Sequence, residues 1–316
     1  MSTLPPFETL PLRKDGPRGN AWGLFDEDDQ NGMLNLLTSD NTVQASREIR
    51  DGTRVSTDWT LTSMSPPSFG RRPLEHTIKH LAPLIVDDEI SFNTQSSSQW
   101  DGFRHFGFQK EERFYNGKTR QDMETTALNG IQGTGGIVGR GVLLDYATWA
   151  EENGYELKPF DPVSINVEAL NAVAASQGTK FKKGDILFIR SGWNRAYKTL
   201  SAEGRQALAD QGRDPLQAQS IGIEPSEKTL RWLWDHSFAA IAGDQPSMEV
   251  WPPASEEFFL HEWLLAGWGL PIGELFDLEQ LSEECRKKNR YTFFFSSMPL
   301  KIPGGVASPP NGVAIF

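Results

Sequence analysis

Residues 93 to 117 set five tryptophan and phenylalanine side chains, Trp100, Phe103, Phe106, Phe108 and Phe114, directly behind a polar, serine-rich run, Gln95-Ser96-Ser97-Ser98-Gln99. Taken alone, that run has the composition of a surface loop. A solvated linker would not carry so many groups that need burial, so the aromatic half argues that the whole segment is anchored in the body of the protein. Asp101 and His105 stand in the same stretch, four residues apart, and on a helical turn they would share a face. An imidazole titrates near neutral pH and can deprotonate a water, then protonate a leaving nitrogen or oxygen. The bland alternative is a histidine packed among Phe103, Phe106 and Phe108.

The rest of the chain limits what that segment can serve. With 316 residues, either one large domain or two fused halves is possible, and 38% hydrophobic with 11% aromatic residues suffices for a sizeable core. The 31 Lys and Arg against 42 Asp and Glu give a net charge of −11, which repels phosphate backbones and anionic lipid surfaces. Nucleic acid and membrane are therefore not expected as partners. Leu260 to Phe276, the nearest approach to a membrane span, is broken by Glu262, Gly267, Gly269, Pro271 and Glu274. A single cysteine, Cys285, excludes an internal disulfide, and the N-terminus lacks a basic start followed by an apolar run, so a cytoplasmic protein is expected.

Along the chain, residues 1 to 20 are rich in proline and charge and read as an arm over the body or over a neighbouring subunit, with one domain over 21–316. Thr38 or Ser39 caps a helix running toward Arg50, a short β-region covers 52–61, and prolines and glycine exclude a regular element from 62–73. A strand over 89–93 leads into the motif. Buried strands are expected at 142–145, 184–193 and 238–242 and an apolar strand at 291–297, with helices at 167–176, stopped by Gly178, and 226–236. Residues 199–219 show no strong periodicity and read as a peripheral insertion or lid. Asp277 with Gln280 has the spacing of a capping box.

His76 and His80 form a His-x-x-x-His pair beside prolines, without the Glu of a zincin, and fit a solvated loop or pocket rim. Asp244, in Gly243-Asp244-Gln245-Pro246, is a turn former or a further acid near a pocket. Arg190 ends a buried strand, where it would bind a substrate carboxylate or carbonyl, or pair with a buried acid. Trp100 and Phe103 are candidates for an aromatic wall against a flat substrate, with core packing as the alternative.

Aligned on Asp101 and His105, the segment resembles His-x-Gly-Thr-His-x-Asp-x-x-x-His, the signature of the cyclase family of metal-dependent hydrolases, which includes kynurenine formamidases and isatin hydrolases. Both metal-binding histidines are replaced, by Gln95 and Gln99. Further resemblance lies in 22–38, 184–193, Leu260-His261-Glu262-Trp263, 269–278 and 299–316. It implies the family's mixed α/β fold, of swivelling β/β/α type, with an open β-rich core flanked by helices, usually as a homodimer or higher oligomer. It also implies a metal site in which Asp101, His261 and Glu274 are ligands and His105 is the proton shuttle. An amide oxygen is a weaker, neutral donor than imidazole, so a single Zn or Mn ion on Asp101, His261 and Glu274, with help from Gln95 or Gln99, is expected, or none.

Two functions follow from that frame. The first is a metal-dependent hydrolase that opens a cyclic amide, lactone or aryl formamide, with His105 as acid/base. The second is a metal-free cyclase, lyase or isomerase of a polyketide-like or aromatic metabolite, with His105 and Asp101 moving protons and the glutamines donating to an oxyanion.

Overall fold

Ile186-Leu187-Phe188-Ile189 is apolar at every position because both of its faces are covered. Leu187 and Ile189 join one hydrophobic cluster with Leu170, Leu230, Leu233 and Ile241, while Ile186 and Phe188 join another with Leu281, Phe293, Phe295 and Ala242. Side chains alternate across a strand, so a sheet buried on two sides needs such runs. The computed structural model, which describes residues 4–133, 135–215 and 217–316, has that layout, an open mixed sheet flanked by helices.

In chain order the strands are β1 (Arg54–Ser56), β2 (Glu75–Ala82), β3 (Ile85–Ser91), β4 (Gln99–Asp101), β5 (Ile137–Leu144), β6 (Ser164–Ile165), β7 (Ile186–Ile189), β8 (Gly222–Ile223), β9 (Ala240–Gly243), β10 (Ile272–Glu274), β11 (Thr292–Ser297), β12 (Ala307–Ser308) and β13 (Gly312–Ile315). The helices are α1 (Ser39–Ala45), α2 (Arg120–Thr125), α3 (Tyr146–Glu152), α4 (Val167–Ser176), α5 (Trp193–Thr199), α6 (Ala202–Gln211), α7 (Glu227–His236) and α8 (Glu279–Lys288). The main sheet runs β1-β13-β11-β5-β7-β9-β10-β4-β12. Its centre, β5-β7-β9-β10, is parallel, and β4 closes antiparallel on β10 with Gln99 opposite Glu274 and Asp101 opposite Ile272.

The expected helices over 167–176 and 226–236 form, capped by the side chains of Asn166 and Ser226, and Thr38 caps α1. Three expectations change. Residues 199–219 contain α6, capped by Ser201, although its outward face is too polar to show a period. Asp277 is not the N-cap of α8 and forms no capping box with Gln280; its Oδ1 accepts from the Glu279 amide at 3.4 Å, and its carboxylate pairs with Lys198 at 2.9 Å. The strand before the motif ends at Ser91 and belongs to a separate hairpin, β2-β3.

That hairpin carries His76 and His80 on an exposed strand, with His76 Nε2 2.8 Å from Asp88, so the two histidines are not on a helix. The register pairs His76 with Ile90, Ile78 with Asp88 and His80 with Val86, which collects Ile78, Val86 and Ile90 on one face. All three are more than half exposed. An isolated two-stranded hairpin is at best marginally stable in water, so this face calls for a cover.

Residues 4–20 lie on the body. Phe7 stacks on Trp263, Trp234 Nε1 donates to the Pro5 carbonyl and Trp268 Nε1 donates to that of Gly19. Cys285 is buried in the second cluster, where burial pushes its thiol pKa up and makes it inert. Among the described residues no helix is long and apolar enough to cross a membrane.

Candidate active site

Strand alternation decides which motif residues face the site. Gln99 and Asp101 share one face of β4, and Trp100 points to the other, where it packs on Phe276 at 5.0 Å and donates to Ser297 Oγ. Trp100 is therefore core rather than a substrate wall. Phe103, 3% exposed and 5.1 Å from Tyr115, is core as well. The serine run is buried instead of looping into solvent: Ser97 Oγ donates to the Thr60 carbonyl, and Ser98 Oγ donates to that of Leu275 while accepting from Trp59 N.

The two glutamines bind the acids beside them. Gln95 Nε2 donates to Asp101 Oδ1 at 2.7 Å and lies 3.2 and 3.3 Å from the two ring nitrogens of His105. Gln99, directly across the sheet from Glu274, donates from Nε2 to Glu274 Oε2 at 2.8 Å. The carboxylates fix both amide orientations, because the reverse would set oxygen against oxygen. This spends the glutamine donors on internal acids, contrary to the expectation that they serve an oxyanion.

Glu274 Oε1 accepts from the Met248 amide at 3.0 Å and lies 3.3 Å from His261 Nε2. His261 Nδ1 meets Glu249 Oε2 at 2.7 Å, and the His261 amide donates to Glu249 Oε1. Burial alone would lower the His261 pKa, but the two flanking glutamates outweigh it and hold the ring well above the ordinary imidazole range. Leu275, next in the chain, has φ 55°, an uncommon conformation for a bulky residue and a mark of local strain at the site.

His105 differs in kind. Burial pushes its pKa down, against the pull of Asp101, and 21% of its side chain stays exposed, so a neutral ring reaches open space. Burial likewise raises Asp101 against the attraction of His105. The space in front of His105 is a cavity of about 310 Å³ walled by Phe69, Phe106, Trp251 and Phe259. His261, Glu274, Arg71 and Ser247 complete the lining that this chemistry can use.

Ligand atoms of Asp101, His105 and His261 lie within 4.8 Å of one another, a group with a suitable donor set for one divalent ion. Glu274, expected as a ligand with Asp101 and His261, falls outside that group. Asp101 Oδ2 and Gln99 Oε1 are buried without a donor and would suit a cation. Against this stands His261, whose two nitrogens each face a glutamate oxygen, so a lone pair becomes available only if a proton leaves.

Arg190 and Asp244 stand outside the cavity lining. Arg190 is 3% exposed and binds Glu279 through two nitrogens at 2.7 and 2.8 Å and Asp145 at 2.7 Å, which removes it as a substrate ligand. Asp244 accepts from the amides of Ser191 and Gly192 and from Ser191 Oγ, and so holds the turn after β7. Sequence reasoning missed Glu249, Arg71 and the walls. Glu249 lies twelve residues before His261 with no periodic element between them, and no local pattern marks it.

The family model named Cyclase matches residues 40–250 of this chain. No curated protein matches it. A solved structure of a novel cyclase is 29% identical with TM-score 0.82, over 94% of this chain and 99% of that one. Isatin hydrolase A from Labrenzia aggregata, solved with benzyl benzoate, is 17% identical with TM-score 0.59 over 88% of this chain and 98% of its own. A predicted metal-dependent hydrolase from Bacillus stearothermophilus is 13% identical with TM-score 0.50, over 84% and 98%. At those identities the last two show likeness of fold.

Proposed function

This chain is a member of the cyclase family, and from that premise we propose that it hydrolyses a carbonyl C–N or C–O bond in a flat small molecule such as a cyclic amide, lactone or aryl formamide. One observation carries the reading. His105 presents a neutral imidazole to an aromatic cavity while Gln95 ties it to the buried carboxylate of Asp101.

The substrate ring lies among Phe69, Phe106, Trp251 and Phe259, which supply apolar contact and exclude bulk water. His105 takes a proton from the attacking water and returns it to the leaving nitrogen or oxygen. His261, kept protonated by Glu249 and Glu274, gives both ring N–H groups to those carboxylates and so fixes the cavity lining beside His105.

The second reading is the metal-dependent one, favoured by the 4.8 Å grouping of Asp101, His105 and His261 and by the donor-free Asp101 Oδ2. A Zn or Mn ion held there would polarise the carbonyl and make its bound water a nucleophile near neutral pH. Turnover of a panel of aryl formamides, lactones and cyclic amides in ¹⁸O-labelled water, after exhaustive chelation, separates the readings. The first predicts one labelled oxygen in the product and full activity. Activity lost on chelation and restored by Zn or Mn selects the second, and unlabelled product points to isomerisation or cyclisation.

We further propose that the chain is a homodimer or higher oligomer in the cytoplasm, its buried lone cysteine suiting a reducing compartment. A second copy would cover the Ile78, Val86 and Ile90 face of the hairpin. Sedimentation equilibrium should give a dimer or larger for the native protein and a shift toward monomer for Ile78→Lys. A native monomer sinks this assignment.

A further inference from the structure

The cavity holds two polar groups that the protein leaves for a ligand. Arg71 lines it, and among the described residues no carboxylate comes within 4.0 Å of its guanidinium, whereas Arg140 and Arg190 are each bound to buried acids. Its Nη1 donates to the Gln95 carbonyl at 2.8 Å and its guanidinium lies 5.2 Å from the Phe69 ring centre, so the group is held in place with donors still uncommitted. Ser247, 3% exposed, lines the same cavity with an Oγ that is buried and has no partner.

Arginine N–H groups can only donate, and the serine hydroxyl is free to do so. Ser247 Oγ is buried and unsatisfied, which is costly, so the molecule that fills this space should bring acceptors to that end, within reach of the partly exposed Arg71, and an apolar ring to the aromatic walls. The net charge of −11 provides no long-range attraction for an anion, which leaves recognition to this one local guanidinium. A carboxylate suits it best, because two oxygens match the planar fork of arginine.

We propose that Arg71, with Ser247, is the specificity-determining pair of the cavity, and that the substrate is a flat ring bearing a carboxylate as well as the carbonyl that faces His105. This rests on the hydrolase reading for the reaction, but not for the binding. Calorimetry with benzoate and its neutral isostere benzamide tests it without turnover. Native protein should bind benzoate about tenfold or more tightly than benzamide, the scale of a charge-assisted hydrogen bond. Arg71→Gln should abolish that preference while benzamide affinity is kept, and Arg71→Lys should restore part of it.

Equal affinity for the two probes in the native protein, or no binding of benzoate, overturns the proposal whatever the variants do. A preference that persists in Arg71→Gln overturns it too. If the labelled-water experiment finds no hydrolysis while benzoate selectivity holds, the reaction assignment fails and the recognition site stands.

Discussion

Replacing His105 with asparagine should lower kcat by about 10²- to 10⁴-fold, the usual worth of a positioned acid/base. The fold should survive, since His105 keeps part of its side chain exposed and its ring contacts are with Gln95, Phe106 and His261 at the cavity. Stopped assays on the substrate panel with a thermal melt of each protein check both halves. The pH profile adds a sign. Burial lowers the His105 pKa below the usual value of about 6.5, so the neutral base persists on the acid side of that value. The kcat/KM of the native enzyme should reach half its plateau on the acid side of the usual imidazole value. A variant with native kcat would remove His105 from the chemistry.

Glu249→Ala should be the most damaging change to stability away from the apolar core, at about 3–5 kcal/mol, the typical cost of stranding one partner of a buried ion pair. Glu249 is fully buried, and its two oxygens take the ring and the amide of His261. Glu249→Gln, which keeps the shape, should cost less, about 1.5–3 kcal/mol for a charged hydrogen bond. Linkage gives the pH dependence. The His261 pKa is raised in the folded state, so its stabilising contribution is complete below the unfolded value near pH 6.5 and is lost as pH rises through the folded value. The gap between native and Glu249→Ala in urea denaturation should therefore narrow at alkaline pH. A gap independent of pH would mean that Glu249 acts by packing alone.

The sheet was legible because its central strands are apolar on both faces, and α4 and α7 because each begins at a capping residue and keeps an inward apolar stripe. Asp101, His105, His261 and Glu274 were legible through the resemblance; His105, His261 and Glu274 line one cavity, and Asp101 lies buried behind His105, bonded to Gln95. What they do there was less so. Trp100 and Phe103 adjoin the motif in sequence, but alternation along β4 turns Trp100 away, and contact with Tyr115 keeps Phe103 in the core. The walls come from separate loops at Phe69, Phe106, Trp251 and Phe259, a convergence that only the tertiary fold creates. Arg190 stood open between a substrate ligand and the partner of a buried acid because the acids it pairs with, Asp145 and Glu279, lie 45 and 89 residues away.

The central claim is that His261 is an imidazolium held by Glu249 and Glu274, and that His105 beside it is the neutral base. Nitrogen-15 NMR of the histidine rings across pH, with and without added Zn²⁺, reads both states directly. The account predicts that both ring nitrogens of His261 remain protonated above the ordinary imidazole value of about 6.5, that His105 is neutral at pH 7, and that Zn²⁺ leaves His261 unchanged. A neutral His261 at that pH, with one ring nitrogen shifting on addition of Zn²⁺, would contradict it and establish the metal-dependent reading in its place.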